Sequence, residues 1–487
     1  MQNESNHFQL DAAVCEQARL TRDARFDGLF FTAVKSTGIY CRPVCPAPTP
    51  KARNIVYYPS AAAAAAAGFR PCLRCRPEAA PGSPLHRARS TLVSGALRLI
   101  EQGALDAHPL GELAARVGVS ERHLRRLFDQ EIGASPLDVA STRRLLFAKQ
   151  LLSETDMPIT HVAGAAGYAS LRRFNATFVA AYGKPPREFR RGKSAAGEAD
   201  AITLRLPYRE PYDFAGLLAF YARRAIPGVE AVDADGYRRS FVVDGTPGWF
   251  TVATNGDDSA LSLRVHGVRP AHLGSLVSRV RRMFDVDADP AAIMAVLRRS
   301  KLLQKPVRQW PGQRLPGAWD GFELAVRAIL GQQVSVAAAR TFASRIVERY
   351  GTPHPAGSEM GVGALFPTAG ALAEAPLESI GLPRTRAATI RGFAQACMDG
   401  RIDFAAHQSL DAFVDRLVAL PGIGAWTAHY IAMRALSHPD AFPAGDLVLR
   451  KVAGDGLPIG ERAMESMAEA WRPWRAYAVM LLWRSAS

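Results

Sequence analysis

Four cysteines in two close pairs constrain the N-terminal part of this chain more than any other feature. Three residues separate Cys41 from Cys45, two separate Cys72 from Cys75, and twenty-six lie between the pairs. Two such pairs joined by a loop are typical of a chain that surrounds a tetrahedral Zn²⁺ ion with four thiolates. The spacing therefore predicts one zinc ion held by Cys41, Cys45, Cys72 and Cys75, and taken alone it favours a purely structural zinc.

Length and charge set the broader class. A chain of 487 residues is too long for one ordinary core and predicts about three domains. It has no apolar run long enough to span a bilayer, and its first residues lack a secretory signal. We therefore expect a cytoplasmic protein with no membrane association and with reduced thiols. The formal net charge of +15 suits a polyanionic partner such as nucleic acid, although solubility alone is the simpler interpretation.

The next part of the chain repeats a helical pattern. The stretches 113–128 and 162–178 each read as a short helix, a glycine turn, a serine N-cap and a second helix with basic residues. This pattern indicates two helix-turn-helix units, bridged by a helix around 137–152, whose second helices enter the major groove. A merely solvated helix face is the alternative for each copy. The candidate DNA contacts are Arg122, Arg125, Arg126, Arg172, Arg173 and Asn175.

The character of the chain changes after the small, polar stretch that begins at residue 192, which predicts a linker. The segments 249–254 and 261–265 predict strands, and residues beyond about 310 predict mostly helices, with a break at Gly331. The stretch LPGIGAWTAHY at 420–430 predicts a hairpin between two helices. Its backbone N–H groups would grip a DNA phosphate without reading sequence, through Gly422, Gly424 and Thr427.

The stretches FFTAVKSTGIYCRPVC and GFRPCLRCRP resemble the N-terminal module of the Ada methyl-response family. The resemblance implies a zinc ion and a nucleophilic thiolate, Cys41, that takes the methyl group of a DNA methyl-phosphotriester. Loss of one negative charge on methylation would then tighten DNA binding. Arg42 and Arg70 match basic, DNA-contacting positions. Pro48 stands where the family carries an arginine that contacts DNA.

The two helix-turn-helix units resemble the AraC/XylS DNA-binding domain, which adds RNA polymerase as a candidate partner. From about residue 204 the chain resembles the AlkA-type 3-methyladenine DNA glycosylases, on motifs at 210–220, 327–339, 420–430 and 471–483. This implies that a damaged nucleotide is flipped into a pocket, with Asp446 stabilising the positive charge that develops on the sugar. The pocket aromatics by resemblance are Phe220, Trp426, Tyr430 and Trp483.

Three positions depart from that glycosylase pattern. Trp426 occupies the place of the lysine that strand-cutting members use, which predicts a glycosylase without lyase activity. Gln333, beside Gln332, stands where the AlkA type inserts a leucine wedge into DNA. Leu447 follows Asp446 where the family often has tyrosine, which predicts a slightly altered pocket.

The sequence thus predicts a multidomain α+β protein: a small four-cysteine zinc module, an all-α tandem helix-turn-helix domain, a TBP-like α+β subdomain and an α-helical helix-hairpin-helix core. The expected divisions are 1–82, 83–192, a linker at 193–203, 204–305 and 306–487. The expected function is a monomeric adaptive-response regulator and monofunctional glycosylase for N3- and N7-alkylated purines in double-stranded DNA. The alternatives are a regulator with an inactive glycosylase clamp, and a repair enzyme whose front half only recruits it to DNA.

Overall fold

The structure is a computed structural model that describes residues 11–82, 90–190, 201–256, 259–404 and 408–486. Its helices are α1 (Ala12–Thr21), α2 (Ala61–Ala66), α3 (Thr91–Glu101), α4 (Ala104–Ala107), α5 (Leu110–Arg116), α6 (Glu121–Ile132), α7 (Pro136–Glu154), α8 (Ile159–Ala165), α9 (Leu171–Tyr182), α10 (Phe214–Ala222), α11 (Pro270–Met283), α12 (Pro290–Leu297), α13 (Gln304–Gln309), α14 (Gly321–Leu330), α15 (Val336–Tyr350), α16 (Ala369–Ala373), α17 (Arg384–Met398), α18 (Leu410–Val418), α19 (Ala425–Ala435), α20 (Leu447–Ala453), α21 (Glu461–Ala468) and α22 (Arg475–Ser485). Its strands are β1 (Phe31–Val34), β2 (Ile39–Cys41), β3 (Ile55–Tyr58), β4 (Arg70–Pro71), β5 (Ala201–Pro207), β6 (Glu230–Val232), β7 (Tyr237–Val243), β8 (Thr246–Thr254), β9 (Ala260–His266), β10 (Thr352–Pro353) and β11 (Ala364–Leu365).

A small four-stranded sheet of order β3-β1-β2-β4 brings the two cysteine pairs together. Strands β2 and β4 run parallel, with Ile39 opposite Arg70 and Tyr40 opposite Pro71. Because Cys41 ends β2 and Cys72 follows β4, this register places the first cysteine of each pair at the same end of the sheet. The Cys72 N–H continues the ladder by donating to the Tyr40 carbonyl at 3.0 Å.

The tandem helix-turn-helix prediction is confirmed. Helices α5–α6 and α8–α9 form the two units, and the long helix α7 lies between them. Ser120 and Ser170 cap α6 and α9 by accepting N–H groups three residues ahead, at 3.3 and 3.4 Å. Each second helix buries three core residues spaced four apart, so its remaining faces are left for solvent or DNA. These core residues are Leu124, Phe128 and Ile132 in α6 and Phe174, Phe178 and Tyr182 in α9.

The C-terminal part is α+β, as predicted. Its antiparallel sheet has the order β5-β9-β8-β7-β6, and β8 and β9 include both predicted strands. The helical region predicted beyond about residue 310 includes α14 and α15, which are separated around Gly331, where the break was predicted. Strand β5 begins at Ala201, inside the stretch predicted as a linker, because its residues pair with β9 along its full length. The remaining linker positions before 201, and residues 83–89 at the preceding boundary, lie outside the described residues.

The four-cysteine module is docked against the C-terminal part by a buried arginine. Arg209 is 6% exposed and donates to the carbonyls of Asp27 at 3.1 Å, Pro81 at 3.0 Å and Asp287 at 3.3 Å. Gly82 leaves room for this guanidinium, since a Cβ there would lie 2.4 Å from it. Carbonyl oxygens from both parts thus solvate one buried cation, which fixes their contact. Within the described ranges, no helix is both long and apolar enough to cross a membrane.

Candidate active site and metal-binding centre

Asp446 lies at the start of α20 and is held there from three sides. Its Oδ1 accepts the Leu449 N–H at 3.0 Å as a helix N-cap and the Trp483 indole N–H at 3.1 Å. Its Oδ2 accepts the Trp426 indole N–H at 2.9 Å. Asp446 is 8% exposed and lines a cavity of about 580 Å³. Because the cap and both indoles orient the carboxylate, it is fixed at the edge of this cavity rather than free to rotate.

The aromatic residues that the sequence predicted for the pocket meet at this cavity. Trp426 and Tyr430, one helical turn apart on α19, are stacked with ring centroids 5.4 Å apart and an interplanar angle of 5°. Trp483 from α22 lies across Tyr430 at 6.1 Å and 47°. Phe220 from α10 lines the same cavity. Three elements far apart in the chain therefore build one aromatic pocket beside Asp446.

The surroundings of Phe220 differ from the expectation that its ring would face a cationic base. The Arg224 guanidinium lies 3.8 Å and that of Arg434 4.6 Å from the Phe220 ring centroid. Two cations already engage this ring, so cation–π attraction for a positively charged base would come from the other aromatics. Sequence reasoning missed both arginines. The available signal was their spacing, since each follows a predicted pocket aromatic by four residues.

The predicted hairpin lies between α18 and α19. Gly422 has φ +84°, and a Cβ there would lie 2.1 Å from the Thr389 Oγ1, so a side chain is excluded. Gly424 is the N-cap of α19, is exposed, and has nothing within 4 Å of its Cβ direction. The N-terminus of α19 is therefore open to an approaching phosphate. Thr427, in contrast, is buried, and its hydroxyl accepts from the Gln332 side chain at 3.0 Å.

The loop between α14 and α15 is tied to this hairpin. Gln332 Nε2 donates to the Gly422 carbonyl at 2.9 Å as well as to Thr427, and its own carbonyl accepts from Arg386 at 2.7 Å. Gln333 follows with φ +56° and an exposed side chain. Gln332 is thus a link between loops, whereas Gln333 is exposed to solvent between Gly331 and Val334, which line the cavity.

The four predicted zinc ligands come together. The Sγ atoms of Cys41, Cys45, Cys72 and Cys75 all lie within 4.8 Å of one another, and none forms a disulfide. Tetrahedral zinc with Zn–S bonds of about 2.3 Å requires S···S separations of about 3.8 Å, so small shifts would suffice. The Arg42 N–H donates to Cys75 Sγ at 3.3 Å, a bond that would stabilise a thiolate at this position. The donor set, its spacing and this hydrogen bond fit zinc.

Arg42 is placed differently from the prediction that it contacts DNA. Its side chain is 16% exposed and forms an ion pair with Asp27, and its Nη1 donates to the Cys75 carbonyl at 3.0 Å. These bonds brace the cysteine cluster and leave little of the guanidinium for a phosphate. Arg70, in contrast, is exposed beside the cluster and lines a cavity of about 640 Å³ together with Cys41.

The candidate DNA contacts of the helix-turn-helix units lie on the outer faces of α6 and α9. Arg122, Arg172 and Arg173 are exposed, and Asn175 is half-buried. Arg125 lies 3.4 Å from Glu121, and Arg126 contacts the His123 ring at 3.2 Å. All six positions thus lie at the surface of the helix-turn-helix units.

Four family models match successive parts of the chain. Residues 14–78 match the metal binding domain of Ada, and residues 113–192 match a helix-turn-helix domain. Residues 203–320 match the AlkA N-terminal domain, and residues 326–476 match the HhH-GPD superfamily of base excision DNA repair proteins. The fold and the site together define a helix-hairpin-helix DNA glycosylase joined to an Ada-type metal-binding and helix-turn-helix region.

A probable bifunctional transcriptional activator/DNA repair enzyme AlkA of Mycobacterium tuberculosis is 42% identical over 96% of this chain and 95% of its own length. The chain belongs to this family of bifunctional AlkA proteins. Its C-terminal part is 32% identical to DNA-3-methyladenine glycosylase 2 of Escherichia coli, over 57% of this chain and 95% of that protein. Its fold also resembles a 3-methyladenine DNA-glycosylase from Archaeoglobus fulgidus, with a TM-score of 0.51, 20% identity, and coverage of 58% of this chain and 98% of that one.

Proposed function

We propose that the C-terminal part is a glycosylase that hydrolyses the N-glycosidic bond of N3- and N7-alkylated purines after flipping the nucleotide out of duplex DNA. The observation that carries this proposal is the Asp446 carboxylate, oriented by two indole N–H groups at the edge of an aromatic cavity beside the hairpin. Relatives named as 3-methyladenine glycosylases support the substrate class. Stacking on Trp426, Tyr430 and Trp483 would bind the flipped base.

In the proposed reaction, Asp446 acts on the sugar. Cleavage releases the base with the bonding electron pair and leaves positive charge on the deoxyribose, which the nearby carboxylate stabilises. Both lone pairs of Oδ1 are engaged by Leu449 and Trp483, whereas Oδ2 accepts, among the residues that the structure describes, only from Trp426. Oδ2 therefore retains one acceptor site with which to orient the water that attacks C1′. Water adds there, loses a proton, and completes an abasic site.

We further propose that the enzyme does not cut the DNA strand. A lyase needs an amine nucleophile that forms a Schiff base with the sugar. Trp426 occupies the hairpin position next to the carboxylate, and its indole nitrogen is committed as a donor to Asp446. Of the described residues that line the cavity, none is a lysine. The abasic site would then be the final product.

We propose that Cys41, Cys45, Cys72 and Cys75 hold one zinc ion, which when bound keeps its thiolates deprotonated and nucleophilic. Cys72 and Cys75 are buried, whereas Cys41 and Cys45 are half-exposed, and Cys41, Cys45 and Cys72 all line the adjacent cavity. We propose Cys41 as the acceptor of a methyl group from a DNA methyl-phosphotriester. Its sulfur forms a bond to the methyl carbon, the O–CH₃ bond breaks, and the phosphate departs as a diester anion. We propose that Arg70, which is exposed and lines the same cavity, contacts the phosphate there.

The helix-turn-helix units would give the protein sequence-specific DNA binding and a role as transcriptional activator, as the names of its full-length relatives suggest. We propose contacts from the exposed residues of α6 and α9, and from Gly422, Gly424 and Gln333 at the glycosylase surface. We assign Arg42, Thr427 and Gln332 to positioning rather than to direct contact, because each is committed to protein partners. The proposed divisions remain 1–82, 83–192 and 306–487, and the α+β subdomain begins with β5 at Ala201 instead of at residue 204.

The decisive experiment is base release. Duplex DNA treated with dimethyl sulfate is incubated with the whole protein, free bases are identified by mass spectrometry, and abasic sites are counted in the DNA. Release of methylated purines with equal numbers of abasic sites supports the proposal. Binding without release would show that the glycosylase fold is an inactive clamp. In the same reaction, mass spectrometry of the peptide that contains Cys41 tests for a gained methyl group.

A further inference from the structure

The cavity beside Asp446 carries an excess of positive charge. Of the described residues that line it, seven are arginines and four are carboxylates. Five of the arginines are committed to hydrogen bonds or ion pairs within the protein. These five are Arg224, Arg239, Arg327, Arg434 and Arg484. The remaining two are Arg223 and Arg340.

Arg223 and Arg340 differ from the other five in their surroundings. Both are exposed, and among the described residues neither guanidinium has a hydrogen-bond or ion-pair partner. Because they are exposed and also line the cavity, they lie where it opens to solvent. Two unpaired cations at one opening attract an anion, and the planar fork of a guanidinium matches the oxygens of a phosphate.

The two arginines come from separate walls of the cavity. Arg223 is the C-cap of α10 and follows Phe220 by three residues, so both lie on the same side of that helix. On α15 the lining residues run from Val336 to Ala343 at spacings of one helical face, and Arg340 belongs to that face. Helices more than a hundred residues apart in the chain thus each supply one unpaired guanidinium.

A flipped nucleotide would bring its phosphates to this opening. With the sugar beside Asp446 and the base stacked in the pocket, the phosphates attached to that sugar stay outside, because burying their charge would be costly. We propose that Arg223 and Arg340 bind phosphates of the damaged strand next to the flipped nucleotide and hold it in the pocket. This inference rests on the proposed glycosylase function.

The test pairs each arginine with a phosphate. A synthetic duplex carries one N7-methylguanine, and a neutral methylphosphonate replaces one phosphate at a time on either side of the lesion. Single-turnover base release is measured with the whole protein in excess over DNA but below saturation, for the wild type, Arg223→Gln and Arg340→Gln. Thermal unfolding of each variant verifies its fold.

Arg349→Gln is the matched control. Arg349 is exposed on the same helix, α15, and its guanidinium likewise has no partner among the described residues. It lies nine residues from Arg340, which at 3.6 residues per turn places it on the opposite side of the helix, and it does not line the cavity.

We expect Arg223→Gln and Arg340→Gln each to lower the rate of base release about fivefold and to reduce the slope of its logarithmic salt dependence by about 1. Arg349→Gln should match the wild type. For each arginine, one methylphosphonate near the lesion should slow the wild type by a similar factor and should cost the corresponding variant nothing further.

A wild-type rate in Arg223→Gln or Arg340→Gln would overturn the assignment of that arginine. So would losses from the substitution and from the methylphosphonate that multiply at every position, because partners in one contact cannot be lost twice. Absence of base release by the wild-type protein on unmodified linkages would instead refute the glycosylase proposal itself, which separates the two failures.

Discussion

Replacement of Asp446 by asparagine tests the central element of the site. The side chain keeps its shape, and asparagine is an equally good N-cap, so the Leu449 N–H can still be satisfied. One of the two indole N–H groups loses its acceptor, because the amide presents an NH₂ group in place of one oxygen. We therefore expect an intact fold with a modest loss of stability of about 1 kcal/mol.

The effect on the reaction should be far larger. A carboxylate about 4 Å from a developing unit positive charge, at an effective dielectric constant of about 20, stabilises it by about 4 kcal/mol. Loss of this electrostatic stabilisation of the transition state lowers the rate of base release about 10³-fold. The assay is single-turnover release of methylated purines from dimethyl sulfate-treated duplex DNA, with quantification of abasic sites.

A matched control is available on α12. Asp289 is also a helix N-cap, accepting the Ala292 N–H at 3.1 Å, but it does not line the cavity. Asp289→Asn should release bases at the wild-type rate. If Asp446→Asn retained a rate within about threefold of the wild type while Asp289→Asn behaved as expected, the assignment of transition-state stabilisation to Asp446 would be refuted.

Three further predictions concern other parts of the molecule. Cys45→Ser should lose its bound zinc, measured by atomic emission, because one of the four thiolate ligands is removed. Cys397→Ser, the control, should keep its zinc. A full zinc content in Cys45→Ser would contradict the proposed ligand set. The wild-type protein should leave abasic DNA uncut and yield no borohydride-trapped complex, since Trp426 replaces the nucleophilic amine, and a trapped complex would refute this. Burial, and then the Arg98 and Arg475 cations, lower the pKa of His438 to about 3. The unfolded chain therefore takes up a proton near pH 6.5 that the folded protein does not, and stability falls as the pH drops below that value. Between pH 6.5 and 5 the free energy of unfolding falls by about 2 kcal/mol through this group. In urea unfolding, His438→Gln should therefore lose about 2 kcal/mol less stability than the wild type over this range. The same pH dependence in the variant and the wild type would contradict the prediction.

The sequence by itself determined the features that depend on short stretches of chain. The cysteine spacing, the serine caps at Ser120 and Ser170 and the glycine hairpin at 422–424 each act within a few residues, so their patterns predict local structure directly. The pocket aromatics and Asp446 were identified through a family resemblance, and in the structure they line one cavity. The separation of α14 from α15 at Gly331 was likewise predicted from neighbouring residues alone.

Only the tertiary structure decided how distant groups divide their hydrogen bonds and charges. Arg42 pairs with Asp27 instead of facing outward, and Arg209 binds three carbonyls from two parts of the protein. Asp446 shares its oxygens between indoles twenty and thirty-seven residues away. Such partners are selected by the packing of separate elements, and a buried polar group takes whichever partner that packing supplies. Residue type alone therefore identified which side chains could bind DNA or take part in the reaction. The fold decided which of them are instead committed to hydrogen bonds and ion pairs within the protein.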